Sequence, residues 1–359
     1  MNFDERYGLL DRGLYRLAFR LGTAQHALAD VEDLLYGDAL DGIEADDPVF
    51  ITALPRAGTT ILLKLLWETG RFASHTYQDM PFVLCPLLWS RYAGQFGTDI
   101  EATERAHGDG LEVSGRSPEA FEEMIWKHFW DGPYRADHIR PWTDVDRNPE
   151  FERFFETHMR KVIAVRSNGE ADKRRYLSKN NLNIARLAAL PEPLRRGTLV
   201  IPFRDPLQQA ASMHRQHERF LDIHEDDDFV REYMEAIGHH EFGKGLKPVN
   251  FNGWLDDDLD LNPASLSYWV RYWIAAYRFV IEHTGENVVL ISYERLTAEP
   301  HASLARLADR LEISGADLTS QADRVESPRT HAVEAPGMSE SLRRRAAELH
   351  EQLEQQALK

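Results

Sequence analysis

The sequence predicts an α/β fold, a central parallel sheet with helices packed on its flanks. Three short apolar runs read as buried strands: Val49–Ile51, Thr198–Phe203 and Asn287–Ser292. Helical patterns separate them, so successive strands need crossover connections, and crossovers make a sheet parallel. The 359 residues are 43% hydrophobic and include 8 Trp and 17 Phe, enough for a sizeable core and too apolar for global disorder. At about 150 residues per domain the length allows two domains or one large α/β domain.

Taken in order, residues 4–36 read as an amphipathic helix. Leu9, Leu10, Leu14, Leu17, Ala18 and Leu21 recur at spacings of three and four, with arginines between them. Such a helix packs on its own domain or lies on a membrane surface; packing on the domain is the reading adopted. A polar Gly- and Asp-rich connector, Gly37–Asp47, follows. Val49–Ile51 is the first strand, Leu54–Gly58 a loop by its Pro and Gly, and Thr59–Trp67 a helix that Gly70 stops. Further helices are expected over 117–130, 183–190, 206–221, 264–283, 301–311 and 339–357. The acidic runs Glu225–Asp228 and Asp256–Asp258 offer a hard-cation site or a solvated loop, and the loop is the plainer reading. The expected division is one domain over 1–359: a helical extension (1–46), an α/β core (47–335) and a C-terminal helix (336–359).

Charge and composition exclude several functions. With 42 basic and 59 acidic residues the net charge is −17, wrong for wrapping duplex nucleic acid or coating an anionic membrane. The single cysteine, Cys85, excludes a disulfide framework and a multi-cysteine zinc site. The N-terminus lacks a signal-peptide pattern, and no run approaches the ~18 apolar residues of a membrane span. The expectation is a cytoplasmic protein without nucleic-acid partners; a homodimer is allowed.

The first strand, loop and helix form a ready anion site. A helix start has unpaired backbone N–H groups and the positive end of a dipole. Here Arg56 adds a cation, Gly58 lets backbone approach a ligand, and Thr59 and Thr60 add hydroxyls. The loop lacks the Gly-Lys-Ser/Thr ending of a Walker A motif. Taken alone, it is also readable as an ordinary strand–turn–helix joint. The run Leu54-Pro55-Arg56-Ala57-Gly58-Thr59-Thr60 resembles the 5′-phosphosulfate loop of sulfotransferases, with Ala57 where serine is common. The resemblance implies that the loop holds the 5′ end of 3′-phosphoadenosine 5′-phosphosulfate (PAPS), on a P-loop-like parallel sheet with helical N-terminal and acceptor-side insertions.

A donor with a 3′-phosphate needs a second anion site. Arg204 ends the second strand, Asp205 is a good N-cap, Pro206 fits the first helical position, and Gln208 completes a capping-box spacing. Ser212 lies seven residues after Asp205, two turns on and on the same face. The spacing from Arg204 to Ser212 is similar to the family's 3′-phosphate motif. Ser292-Tyr293-Glu294-Arg295 resembles its Tyr-Glu segment, which implies Tyr293 against the adenine. A core-packed tyrosine is the alternative.

Sulfuryl transfer leaves negative charge on the bridging oxygen, so cations must stand ready. Arg56 is one. Lys179, 25 residues before Arg204, is similar in position to the catalytic lysine of tyrosylprotein sulfotransferases. The acceptor hydroxyl needs a base. Asp79 is the first candidate and His75 the second; Glu122 and Glu123 are reserves, otherwise helix-surface carboxylates. Ser327 and Arg329, in Glu326–His331, loosely resemble the family's late substrate-covering segment. His214, His217 and His239-His240-Glu241 lack a His-Glu-x-x-His signature, so no metal is expected, and His217 is placed beside the acceptor. The stripe Trp269, Tyr272, Trp273, Ala276, Tyr277 reads as core.

The expected function is therefore sulfuryl transfer from PAPS, leaving 3′,5′-ADP, to a hydroxyl or amine of a small-molecule, lipid or saccharide acceptor. Residues 222–262 and the N-terminal helix are expected near that acceptor. A magnesium-dependent P-loop kinase and a non-catalytic nucleotide-binding protein are the alternatives.

Overall fold

The computed structural model describes residues 12, 16, 22–93, 103–104, 112–113, 117–167, 173–256, 261–326, 333 and 337–358. In chain order the elements are α1 (Gly22–Tyr36), β1 (Val49–Ile51), α2 (Thr59–Glu68), β2 (Phe72–Ala73), α3 (Pro86–Ala93), the strands β3 (Thr103–Glu104) and β4 (Glu112–Val113), and α4 (Glu122–Phe129). Then come α5 (Pro149–Arg166), β5 (Arg175–Lys179), α6 (Glu192–Arg196), β6 (Thr198–Phe203), α7 (Pro206–Asp226), α8 (Asp228–Ala236), α9 (Leu266–Glu282), β7 (Val288–Ser292), α10 (Tyr293–Ala298), α11 (Pro300–Arg310), α12 (Gly315–Thr319) and α13 (Glu340–Gln356).

Five strands form one parallel sheet in the order β2-β5-β1-β6-β7, while β3 and β4 pair separately and antiparallel. The register sets Ile51 opposite Lys179 on one side and Val200 on the other, and Phe203 opposite Ser292. Because the strands run one way, Thr52, Asn180, Arg204 and Tyr293 all leave the same edge of the sheet. Open parallel sheets bind ligands along such an edge.

Alternate strand residues face two separate cores. Phe50, Tyr176, Leu199, Ile201 and Phe203 join α5, α7, α9 and α13 on one face. Val49, Ile51, Leu177, Val200 and Ile291 meet α2 and α11 on the other. Helix α13 belongs to the first core through Leu342, Ala346, Leu349 and Leu353, and Leu358 N–H donates to Leu290 C=O at 2.9 Å.

Several elements differ from the sequence reading. The helix expected over 117–130 starts only at Glu122, and the stretch expected as a helix over 183–190 is a 3-10 helix, Asn181–Ala189. Strand β5 was not expected as a five-residue strand, because charged Arg175 and Lys179 bracket a short apolar centre. Helices α5 and α8 were unforeseen; Asn148 caps one, ahead of Pro149, and Asp227 caps the other. The run Glu225–Asp228 is thus a helix junction rather than a loop, and Asp227 also pairs with Arg12 at 2.8 Å. Asp257 and Asp258 lie outside the described residues. So does most of the leucine pattern before Gly22.

Helix α1 packs on the domain, but with its polar side inward. Gln25 and Glu32 are buried, and Lys161 of α5 pairs with Glu32 at 2.8 Å and Asp33 at 2.6 Å. Leu34 and Leu35 face outward, 85% and 60% exposed.

Candidate active site

Two residues of the loop after β1 take left-handed backbone, Arg56 (φ 69°) and Gly58 (φ 98°). At a non-glycine residue this costs about 1–3 kcal/mol and persists only where the surroundings hold it. Gly58 N-caps α2 and, having no side chain, offers no cap of its own to the first-turn N–H groups. A Cβ at position 58 would lie 2.7 Å from the Tyr293 ring, so only glycine lets the tyrosine rest on the loop. Ala57 is fully buried in the core. Thr59 is buried and Thr60 half-buried at the helix start.

The second half-site meets the first. Asp205 caps α7 through Gln208 N–H, and Ser212 faces back toward the loop, where Arg56 Nε donates to its Oγ at 3.1 Å. Arg204 lies over the Tyr293 ring, 5.1 Å from its centroid. Arg204 Nε is buried without a hydrogen-bond partner among the described residues. Burial pushes the Tyr293 hydroxyl up, with Arg204 opposing. The adjacent Glu294 accepts Asp205 N–H at 2.9 Å, tying the tyrosine segment to the start of α7.

Gln209 was missed from the sequence. It is fully buried on α7. Its Nε2 donates to Leu54 C=O (3.3 Å) and Pro55 C=O (3.0 Å), while its Oε1 accepts Trp273 Nε1–H at 3.0 Å. It therefore ties the helix of one half-site to the loop of the other. The available signal was its place four residues after Asp205, on the inward face.

Lys179 ends β5 beside Ile51 and is buried. Its neighbours are braced by a polar network under the sheet edge. Glu122 accepts from Ser178 Oγ–H, Asn183 Nδ2 (2.9 Å) and Trp126 Nε1 (2.8 Å). Glu123 takes both oxygens to Arg186 NH2 (2.8 and 2.9 Å) and one to Asn180 Nδ2 (2.7 Å). These reserve carboxylates are neither surface groups nor free bases; both are buried and saturated.

Asp79, the first candidate for the base, is closely engaged. Its Oδ2 accepts Thr76 N–H (2.8 Å), the Arg166 guanidinium, and His75 Nδ1 (3.3 Å). Burial raises its pKa, but Arg166, His75 and the backbone bond prevail and hold it well below the usual carboxylate range. Such a carboxylate is a weak proton acceptor. His75 is engaged on both nitrogens, its Nε2 lying 2.9 Å from His158 Nε2. Burial, with His75 and Lys161 nearby, pushes His158 far below the usual imidazole range. The structure makes Asp79 and His75 part of a buried brace between the 74–79 segment and α5.

The remaining calls on single residues fall out as follows. Ser327 and Arg329 lie outside the described residues. His217 is buried, accepts Gly243 N–H at 3.1 Å and sits 5.4 Å from the Trp269 ring. Trp269, Tyr272, Trp273, Ala276 and Tyr277 are buried on α9. Trp269 and Tyr272 also line a cavity that reaches Pro55, His240, Glu241 and Lys247. Among the described residues Glu294, His350 and Glu354 bring possible metal-ligand atoms within 4.8 Å of one another, but Arg295 already pairs with Glu354 at 2.6 Å. Also among them, no helix is long and apolar enough to cross a membrane.

The family model of the sulfotransferase domain matches residues 46–341. Among solved structures, the chain is similar to sulfotransferase STF9 from Mycobacterium avium, with 12% identity and a TM-score of 0.50, covering 90% of this chain and 81% of that one. It is also similar to sulfotransferase STF1 from Mycobacterium tuberculosis H37Rv, with 13% identity and a TM-score of 0.45, over 93% of this chain and 85% of that one. At these identities the likeness is one of fold. No curated protein matches the chain.

Proposed function

The chain belongs to the sulfotransferase domain family and is a transferase of sulfuryl groups rather than a P-loop kinase, and we propose that its donor is PAPS, held between the loop after β1 and the start of α7. The observation that carries this reading is the Arg56–Ser212 contact at 3.1 Å, which joins a 5′ anion site to a 3′ anion site. Two further features fit a nucleotide with phosphates at both ends. Arg204 Nε is buried without a partner among the described residues, and Gly58 leaves room that any Cβ would fill against Tyr293.

PAPS supplies an activated sulfuryl group when bound. In this reading the α2 N-terminus, Thr59 and Thr60 bind the 5′-phosphosulfate end. Arg204 and Ser212 grip the 3′-phosphate, and the Tyr293 ring lies against the adenine. Arg56 and Lys179 hold positive charge where the leaving oxygen becomes an anion, which matters most in the transition state. The acceptor is an organic hydroxyl or amine. In this reading the extension, core and C-terminal helix act as one unit.

Calorimetry tests the donor site. Arg204→Ala is expected to weaken 3′,5′-ADP binding by about 2–5 kcal/mol, the cost of cutting one partner of a buried charged contact. Adenosine 5′-phosphate, which lacks the 3′ group, should bind nearly as before. Unchanged 3′,5′-ADP affinity removes Arg204 from the site. Transfer of radiolabelled sulfate from PAPS in magnesium-free buffer tests the activity.

A further inference from the structure

The last turns of α13 carry ligand atoms that the donor reading does not use. His350 and Glu354 are four residues apart on α13, so their side chains stand on one helix face. Glu294, in the first turn of α10, meets them there. One potential metal-ligand atom from each of the three lies within 4.8 Å of the other two. Glu294 Oε2 and His350 Nε2 are both buried without a hydrogen-bond partner among the described residues. A buried polar atom left unpaired costs about 1–3 kcal/mol, so two in one place are an expense that a shared cation would remove.

The surroundings hold each ligand in place. The other oxygen of Glu294, Oε1, accepts Asp205 N–H at 2.9 Å. Arg295 NH2 clamps Glu354 by its C=O at 2.7 Å and by Oε2 at 2.6 Å. The arginine thus takes one carboxylate oxygen only. Glu354 Oε1 stands 3.8 Å from His350 Nε2, too far for a hydrogen bond. The imidazole packs against the Phe203 and Trp273 rings, at 5.7 and 6.4 Å. Outer contacts of this kind orient metal ligands. Two ligands about 2.0–2.2 Å from one zinc ion stand at most about 4.4 Å apart. The 3.8 Å pair already fits, and the widest pair closes with a shift of about 0.5 Å.

A cavity of about 330 Å³ adjoins the cluster, walled by His350 and Glu354 together with Asp205, Glu351 and Arg343. It offers an ion an entry path and space for a water as fourth ligand. Its wall adds two carboxylates against one cation, Arg343. The imidazole nitrogen selects among ions, because magnesium and calcium prefer oxygen ligands while zinc takes nitrogen and oxygen together.

We propose that Glu294, His350 and Glu354 bind a divalent transition ion of the zinc type. The ion fastens α13 to the segment that carries Tyr293 and, through Asp205, to the start of α7. Its role is structural, and none of its ligands is among the residues assigned to PAPS.

The test titrates Zn²⁺ into the full chain after dialysis against EDTA. Wild type should bind about one equivalent with a Kd in the micromolar range or below, and its thermal transition should rise as Zn²⁺ is added. Millimolar Mg²⁺ should not displace the ion. Glu294→Gln keeps an acceptor for Asp205 N–H but loses the charged ligand. His350→Gln loses the imidazole. Each should weaken Zn²⁺ binding by about 100-fold and lose the thermal shift. Glu294→Gln spares the packing on Phe203, so it carries the test if His350→Gln fails to fold. A wild type that takes up no Zn²⁺ below about 1 mM overturns the site. So does uptake that the variants retain, since the ion is then held by histidines elsewhere. Displacement by Mg²⁺ at equal concentration overturns the choice of ion. Binding of 3′,5′-ADP by the EDTA-treated chain tests the donor reading separately, and neither result decides the other.

Discussion

Asp79 gathers three donors onto one oxygen, and their combined effect is structural. Its depressed pKa means that the charged form is favoured by folding. The sign follows. Its contribution is present above the unfolded aspartate value of about 3.9 and fades as pH falls toward the folded value. Asp79→Asn removes the buried carboxylate that pairs with the half-buried Arg166, and breaking a buried pair costs about 3–5 kcal/mol. Urea unfolding at pH 7 should show that loss, and the gap from wild type should shrink as the pH is lowered below about 4. At temperatures where the mutant stays folded, its turnover should remain within about tenfold of wild type, above the losses of a missing base. A fully stable but inactive Asp79→Asn would return the base role to Asp79. Arg56 presents the opposite case, a residue held in strained backbone where its guanidinium meets Ser212, and strain of this kind gathers at working sites.

At the scale of elements, the site is a joint between a loop and two helices. Helix α7 reaches the loop twice, at Ser212 through Arg56 and at Gln209 through the Leu54 and Pro55 carbonyls. Helix α9 backs the second contact through Trp273, and Tyr277 donates to Pro202 C=O at 3.0 Å. Gln209→Leu fills the space but strips the loop carbonyls of donors, at about 1–3 kcal/mol for each buried group left unpaired. The loop should then lose its fixed shape. Affinity for 3′,5′-ADP and for adenosine 5′-phosphate should fall together, by about tenfold or more. This pattern differs from that of Arg204→Ala, which should spare adenosine 5′-phosphate. If stability drops and both affinities hold, Gln209 is a core brace with no bearing on the loop.

Across the whole molecule, the C-terminal helix closes the core behind the site. Leu353 is fully buried, and His350 packs 5.7 Å from Phe203, the last residue of β6 before Arg204. The helix thus packs against the strand end that leads into Arg204 of the proposed donor site. Leu353→Ala should cost about 2–5 kcal/mol, as other buried leucine truncations do. If the described chain is one cooperative unit, the thermal transition should shift as a whole. Saturating 3′,5′-ADP at about 100 times its Kd should offset about 2.7 kcal/mol of the loss. Two separate transitions in calorimetry, with only one moving, would divide the chain into independent parts.

The strand runs Val49–Ile51 and Thr198–Phe203 appear as read, and so do the order and spacing of Arg56–Thr60, Arg204, Ser212 and Tyr293 along the chain. These features are local. A glycine that must take left-handed backbone, an Asp-Pro helix start and a two-turn spacing are set by residues within one or two turns of each other. Strand β5 was not legible, because a parallel strand with charged ends is made by its neighbours on either side. The facing of α1 was not legible either, because Lys161 lies far along the chain and draws Glu32 inward. The same holds for the carboxylates. Asp79 is engaged by Arg166, 87 residues away, and Glu241 by Asn181, 60 residues away. Sequence alone determined that Arg56, Lys179 and Arg204 stand at the ends of the strands, where we propose the anion site. Which acid is bound into the frame and which faces the cavity was decided only by tertiary structure, because a carboxylate's basicity depends on the partners that folding brings to it.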